Sequence, residues 1–217
     1  LREERDKVMQ LILDIGSGNS LPDNETVCKL IDEIAKRDTH KHEVILKAQL
    51  FKSAPPNKPL KYDVFLAAWS YASDLGYHLT SSVFDIESLK FLLEWDFPGW
   101  RLPFIKIACR PDKYWLIGEV PRRIPVYYSL DARLDIPDIP DLPYEDNTVE
   151  MMCVPKYPAL YVEYHSAKAI SDHTVGWDLL RDYKPDILEK HICLSRSSDN
   201  PDAGPFAVVP ADLEEIL

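Results

Sequence analysis

Leu102-Pro-Phe-Ile-Lys-Ile-Ala-Cys109, Lys113-Tyr-Trp-Leu-Ile-Gly-Glu-Val120, Ile124-Pro-Val-Tyr-Tyr-Ser-Leu130, Thr148-Val-Glu-Met-Met-Cys-Val154 and Ala159-Leu-Tyr-Val-Glu-Tyr164 are the segments on which the fold turns. Each combines β-branched and aromatic residues at strand length. The prolines at 103, 111, 121, 125, 155 and 158 sit near segment ends, where a missing N–H costs little. The stretch 101–164 therefore reads as a central, mostly antiparallel β-sheet.

Upstream, the apolar spacing is that of helices. Arg2 to Ile15 aligns Val8, Leu11, Ile12 and Ile15, with Gly16–Ser20 as the stop. Asp23 suits the start of a second helix that carries Val27, Leu30, Ile31 and Ile34, and Glu43 to Ser53 aligns Val44, Ala48 and Phe51. Pro55–Pro59 is a stiff connector that no helix crosses. Tyr62 to Leu75 then places Phe65, Ala68, Trp69 and Ala72 on one face, ended by Gly76, and Ile86 to Trp95 follows Asp85. Downstream, Trp177–Tyr183 and Asp186–His191 read as short helices, Phe206–Val209 as a strand, and Pro210 as the opening of a terminal helix. The order predicts an α+β fold: an N-terminal layer of four to five helices packed on the sheet, with short C-terminal helices. Residues 1–54 form the helical segment and 60–217 the α+β domain with its sheet near 101–164, together one compact unit.

A chain of 217 residues, 46% of them hydrophobic, is long enough to bury a sizeable core. Eighteen prolines against seven glycines favour ordered, extended connections. A net charge of −11 disfavours attachment to duplex DNA or anionic lipid. The apolar run Val8–Ile15 is broken by Gln10 and Asp14, which makes it neither a secretory core nor a membrane span. Cysteines 28, 109, 153 and 193 contain no C-x-x-C pair, a pattern of reduced thiols in an intracellular protein, cytoplasmic or nuclear.

Leu13-Asp-Ile-Gly-Ser-Gly-Asn19 resembles the glycine-rich turn of the S-adenosylmethionine-dependent methyltransferases, which implies a strand end whose backbone amides face a cofactor. Arg2–Lys7 before it is charged and helix-forming, and a helix stands where a ribose-binding strand end belongs, so Gly16–Ser20 is read as a helix stop. A zinc set of His165, His173, His191 and Cys193 matches no short ligand spacing. A nucleophilic triad of Cys153, His165 or His173, and Asp172 or Asp178 lacks an exposing elbow, because Cys153 sits in an apolar run. Glu119, Glu163, His165 and Lys168 are the candidates for a metal-dependent hydrolase or nuclease built on sheet carboxylates.

Charge is unevenly distributed. Residues 101–123 hold six basic and two acidic side chains, whereas 131–150 hold seven acids and one base. Either the Pro-rich acidic loop Asp135–Tyr144 mutes the basic strands, or Arg101, Arg110, Lys113, Tyr114, Trp115, Arg122, Arg123, Tyr127 and Tyr128 present a cationic, aromatic surface to an acidic peptide or single-stranded RNA. The reading these residues support is a non-catalytic protein-interaction or assembly domain of a larger protein, part of a multi-subunit complex, that binds a partner through this Arg/aromatic-rich sheet surface. It expects a protein partner, no cofactor, no metal and no membrane; the hydrolase or nuclease and the RNA-binding module are the alternatives.

Overall fold

The computed structural model describes residues 8–96, 101–134, 145–160, 164 and 167–217. Its strands are β1 Gln10–Gly16, β2 Glu43–Leu50, β3 His78–Val83, β4 Ile105–Ile107, β5 Val126–Asp131, β6 Thr148–Cys153, β7 Ala169–Asp172 and β8 Ile187–His191. Each runs parallel to the next, and β8 returns to β1 in a register from Gln10↔Ile187 to Asp14↔His191. The sheet thus closes on itself as an eight-stranded parallel barrel of the (β/α)8, or TIM, type.

The connections place α1 Asn24–Ala35, α2 Tyr62–Asp74, α3 Ile86–Glu94 and α4 Asp178–Tyr183 on the outside, with 3₁₀ segments at Pro111–Glu119 and Pro210–Glu215. Asp23 caps α1 by accepting from the Thr26 N–H at 2.8 Å, and Asp85 caps α3 by accepting from the Ser88 N–H at 2.8 Å. The buried stripe Val27, Leu30, Ile31 and Ile34 of α1 belongs to one apolar layer with Leu11, Leu13 and Ile15 on the outer face of β1. Burying each such side chain contributes about 1.5–3 kcal/mol.

Inside the barrel the two-residue period separates an apolar floor from a polar mouth. Ile12, Ile45, Phe104, Tyr127, Met151 and Ala169 form the floor, where Phe104 stacks on Tyr127 at 4.0 Å between ring centroids. Two residues further along the chain stand Asp14, Lys47, Lys106, Ser129, Cys153 and Ser171, all lining a cavity.

This architecture corrects the expected helical layer on an antiparallel sheet. The segments read as helices at Arg2–Ile15, Glu43–Ser53 and Asp186–His191 contain β1, β2 and β8. Parallel strands packed on both faces are apolar at consecutive positions, so Leu11-Ile12-Leu13 and Ile45-Leu46 satisfy a helical spacing as readily as a strand. Conversely, Lys113–Val120, read as a strand, lies largely within the 3₁₀ segment Pro111–Glu119, whose proline start and lack of a ladder partner set it outside the sheet. Strands β3 and β7 had no counterpart in the sequence reading. The α1, α2, α3 and α4 positions agree with it, and Ala159–Tyr164 lies mostly outside the described residues. Gly16–Ser20 follows a strand, not a helix.

Gly18 is fixed by close approach. A Cβ there would stand 2.2 Å from the Pro59 carbonyl oxygen, a backbone atom that no rotamer change can move. Gly18→Ala is expected to destabilise the fold by about 1–3 kcal/mol, lowering the melting temperature by roughly 2–4 °C for each kcal/mol. A calorimetric melt indistinguishable from wild type would contradict that packing.

Candidate active site

The mouth at the C-terminal strand ends opens into a cavity of about 640 Å³. In barrels of this type the C-terminal face carries the functional groups, because neighbouring strand ends and loops converge there. Strands β1 and β2 supply Asp14 and Lys47, whose ammonium donates to Asp14 Oδ2 at 2.7 Å and to Ser82 Oγ at 2.8 Å. Gln49 Nε2 donates to the same carboxylate oxygen at 3.0 Å. Lys106, just across, donates to Ser129 Oγ. Glu189 on β8 lies between the two cations, 3.9 Å from Lys47 Nζ and 3.7 Å from Lys106 Nζ, and accepts from Ser171 Oγ at 2.8 Å.

Burial and pairing compete at each of these groups. Burial alone would raise the Asp14 carboxyl, but Lys47 and His191 hold it down at about 2. Burial alone would lower the Lys47 ammonium, yet Asp14 and Glu189 keep it above its ordinary value. Lys106 has less compensation: burial dominates, and it loses its proton more readily than an ordinary lysine. Glu189 stays below the usual carboxylate range because Lys106 and Lys47 overcome its burial. Two buried polar atoms of the mouth, Glu189 Oε2 and His191 Nδ1, have no hydrogen-bond partner among the described residues, and such atoms are costly unless something meets them.

His173 completes the wall. Its Nδ1 lies 2.7 Å from the Val154 carbonyl oxygen, which only an N–H can satisfy, so the ring is the Nδ1–H tautomer and Nε2 keeps its lone pair. Burial and the neighbouring His191 push its pKa down from 6.5 to about 3. The unfolded chain takes up that proton near pH 6.5 and the folded chain only near 3, so the associated stability is full above 6.5 and is lost as pH falls through this window. Asp14 adds a second loss lower down, between 3.8 and about 2. Melting temperature is therefore expected to fall from pH 6.5 downward, and His173→Gln to flatten the upper part of that slope. An unchanged slope in the variant would exclude His173 as its source.

Tyr157 leans over the mouth with its ring 4.2 Å from His173 and edge-on to His191 and Phe206 at 5.6 and 5.0 Å. Asp202, in the loop after β8, accepts from the Ser17 N–H at 2.8 Å and from Ser17 Oγ at 2.6 Å, tying that loop to the turn after β1. Among the described residues, no three His, Cys, Asp or Glu side chains are grouped to hold a metal ion.

The residues singled out from sequence distribute as follows. His173, His191 and Cys153 face the cavity, and Arg110 and Lys113 stand at its rim. Asp172 lies behind the wall, Cys193 is buried beside the Val208 carbonyl at 3.8 Å, and Asp178 pairs with Arg181 at 2.8 Å. Glu119 and Lys168 are exposed, while Glu163, His165 and the loop Asp135–Tyr144 lie outside the described residues. Tyr114 donates to the Ser129 carbonyl at 2.6 Å, Tyr127 donates to Gln10 Oε1 at 3.1 Å within the floor, and Tyr128 donates to Glu150. Arg110 is bidentate to Asp112, Arg122 pairs with Asp146 and Arg123 with Asp96, whereas Arg101 and Trp115 are exposed. Sequence reasoning passed over Asp14, Lys47, Lys106, Ser129, Ser171 and Glu189. For the first four the signal was a charged or hydroxyl residue alone inside an apolar run, as in Leu13-Asp14-Ile15, Leu46-Lys47-Ala48 and Ile105-Lys106-Ile107; Ser171 and Glu189, followed by Asp172 and Lys190, carried no such mark.

The sequence matches no family model and no curated protein. Among solved structures, the N-acetylneuraminic acid (sialic acid) synthetase of Leptospira borgpetersenii serovar Hardjo-bovis, in complex with citrate, aligns with a TM-score of 0.71 at 18% identity over 97% of this chain and 81% of that one. A spore coat polysaccharide biosynthesis protein of Bacillus subtilis aligns at 0.70 and 18% identity, over 97% and 66%. The phospho-2-dehydro-3-deoxyheptonate aldolase (DAHP synthase) of Thermotoga maritima aligns at 0.61 and 9%, over 97% and 67%. At these identities the likeness is one of fold.

These findings overturn the reading as a non-catalytic interaction or assembly domain that binds through a sheet surface. A closed barrel has no free sheet face, and the aromatic residues Tyr114, Tyr127 and Tyr128 assigned to that face are buried. The barrels that resemble it are named as a synthetase, a polysaccharide biosynthesis protein and an aldolase. No helix among the described residues is long and apolar enough to cross a membrane.

Proposed function

We propose that this protein makes or breaks a carbon–carbon bond in a small sugar acid, in the manner of an aldolase. One observation carries the reading. Two ammonium groups from different strands, Lys47 and Lys106, are held in a buried setting at a barrel mouth, around Glu189 and the hydroxyls of Ser82, Ser129 and Ser171. An ammonium has three donors, and among the described residues Lys106 gives one hydrogen bond, to Ser129. An anionic oxygen is the ligand that suits the others, and its charge offsets the burial that weakens the Lys106 proton. The similar barrels include a synthetase of sialic acid crystallised with citrate and an aldolase of a deoxyheptonate, both named for acidic sugars.

In such a reaction a proton leaves the carbon beside a carbonyl, the resulting enolate attacks an aldehyde carbon, and the new alkoxide takes up a proton. Reversal cleaves the bond. Lys106 and Ser129 hold the oxygen on which negative charge develops, and preorganised donors in a water-poor site favour that charge. His173 Nε2, unprotonated and aimed by its bond to Val154, accepts the proton once an anionic substrate has raised its basicity. The Lys47–Asp14 pair keeps the second cation fixed.

A second reading rests on the same lysine. Because burial favours the neutral amine of Lys106, that amine is suited to form a Schiff base with a carbonyl substrate. Borohydride reduction in the presence of pyruvate separates the two: a reduced adduct on Lys106 selects the Schiff base, and unmodified protein with measurable turnover selects the ammonium. An intracellular setting accords with this function, since the four cysteines are unpaired, as a reducing compartment keeps them.

The decisive experiment incubates the protein with a panel of 3-deoxy-2-oxo sugar acids and follows release of a 2-oxo acid and an aldehyde by NMR. Turnover with at least one member supports the proposal. Absence of turnover, together with no thermal stabilisation by citrate, pyruvate or phosphate, would remove it.

A further inference from the structure

Two of the four cysteines line the cavity: Cys109, just beyond β4, and Cys153, the last residue of β6. The intervening strand β5 brings their strand ends level, through Ile107↔Tyr128 and Asp131↔Cys153. Cys109 sits in a tight turn closed by the Arg110 N–H on the Ala108 carbonyl at 2.7 Å, outside the hydrogen-bond ladder. Each thiol lies close enough to the other to shift its proton affinity. They differ in access: Cys109 is half-buried and meets the open cavity, whereas Cys153 is buried. Neither has a part in the bond-forming chemistry above.

From this arrangement we propose that Cys109 and Cys153 are a paired oxidation site, at which a hydroperoxide small enough to enter the cavity converts two thiols into one disulfide. The Cys109 thiolate attacks the terminal oxygen of the hydroperoxide; the O–O bond breaks, the departing alkoxide or hydroxide takes up a proton, and Cys109 becomes a sulfenic acid. The Cys153 sulfur then attacks Sγ of Cys109, its proton passes to the leaving hydroxide, and water departs as the S–S bond forms. The dithiol loses two electrons and the hydroperoxide gains them.

The order of roles follows from the surroundings. Its interaction with Cys153, and then the nearby Lys106 ammonium, hold the Cys109 thiol below its ordinary range despite burial. The same interaction and burial push Cys153 up. Elsewhere, burial pushes Cys193 up to about 11, and burial with Asp32 raises Cys28, so neither competes as a thiolate. Because Cys109 lies off the ladder, its turn can carry the sulfur to bonding distance without displacing a strand. The product would tie the two strand ends beside Lys106 and Ser129 and stiffen the wall where an anion enters.

The test treats the whole chain with stoichiometric hydrogen peroxide and follows intact mass and peptide maps. Wild type is expected to lose two hydrogens, to yield one thiol-reversible peptide joining Cys109 to Cys153, and to do so about tenfold faster than any oxidation at Cys28 or Cys193. Cys153→Ser is expected to stop at a sulfenic acid on Cys109 that dimedone traps, and Cys109→Ser to resist. Stabilisation of the protein by citrate, measured before oxidation, after it and after reduction with dithiothreitol, should weaken and recover. Oxidation spread equally over the four cysteines, or sulfinic acid on wild-type Cys109 with no cross-link, would overturn the proposal. These readouts are independent of turnover, so the proposal can fail while the aldolase reading stands, and the reverse.

Discussion

Lys106→Met is expected to lower turnover by about 10²–10³-fold while leaving the barrel folded. Methionine fills nearly the same volume as the lysine stem, so the apolar contacts of the side chain survive. What is lost is the ammonium that donates to Ser129 and stands 3.7 Å from Glu189. Glu189 keeps Lys47 at 3.9 Å and the hydrogen bond from Ser171, and with one cation fewer it takes up a proton at higher pH than before. The variant should therefore show a smaller stabilisation by citrate or phosphate, a depressed rate with every productive substrate, and an acidic limb of its pH–rate profile moved to higher pH. Wild-type turnover and wild-type anion binding in Lys106→Met would remove this lysine from the site altogether.

The largest expected effect on stability lies behind the wall. Lys190, on the outer face of β8, is fully buried; it donates to Asp172 Oδ2 at 2.7 Å and to the Thr174 carbonyl at 2.6 Å, 5.9 Å over the Trp177 ring. Asp172 Oδ1 accepts from both the N–H and the hydroxyl of Thr174 at 2.7 Å. Removing one member of such a pair leaves a buried charge without compensation, at a cost of about 3–5 kcal/mol. Lys190→Met should accordingly lower the melting temperature by roughly 10 °C. Combining it with Asp172→Asn removes the stranded charge and should restore part of the loss, since directly paired residues do not contribute additively. Equal melting temperatures for wild type and Lys190→Met would show that the pair contributes nothing. Because Ser171 and His173 flank Asp172, and Glu189 and His191 flank Lys190, the pair also fixes the register in which those four side chains face the cavity.

The helices were legible in the sequence because their signals are local. Asp23 and Asp85 announce two starts, and the stripes Val27–Ile34 and Phe65–Ala72 follow the helical period; the same spacing in β1 stands without such a cap. Several strands were not. In a parallel barrel the outward residues Leu11, Leu13 and Ile15 meet helices while the inward Ile12 meets the floor, so strand alternation disappears into a continuous apolar run. Pro103 and Pro125 stand just before β4 and β5, whereas Pro111 and Pro121 bound a 3₁₀ segment, and none of the four carries information about strand direction. The cationic surplus of residues 101–123 was real as composition, yet Lys106 points into the barrel and Arg110, Arg122 and Arg123 are each paired with an aspartate.

The sequence alone determined an acidic, core-rich chain and four helices set by caps and periodicity. It also held Asp14, Lys47, Lys106 and Ser129 in plain view, as single polar positions inside apolar runs. Tertiary structure alone decided what those positions mean. Asp14, Lys47, Lys106 and Glu189 are distant along the chain, and their juxtaposition depends on a β8–β1 pairing that closes the sheet, a contact between its first and last strands that no local propensity encodes. Closure turns four isolated charges into one compensated cluster at the mouth of a barrel, and on that cluster the proposed chemistry depends.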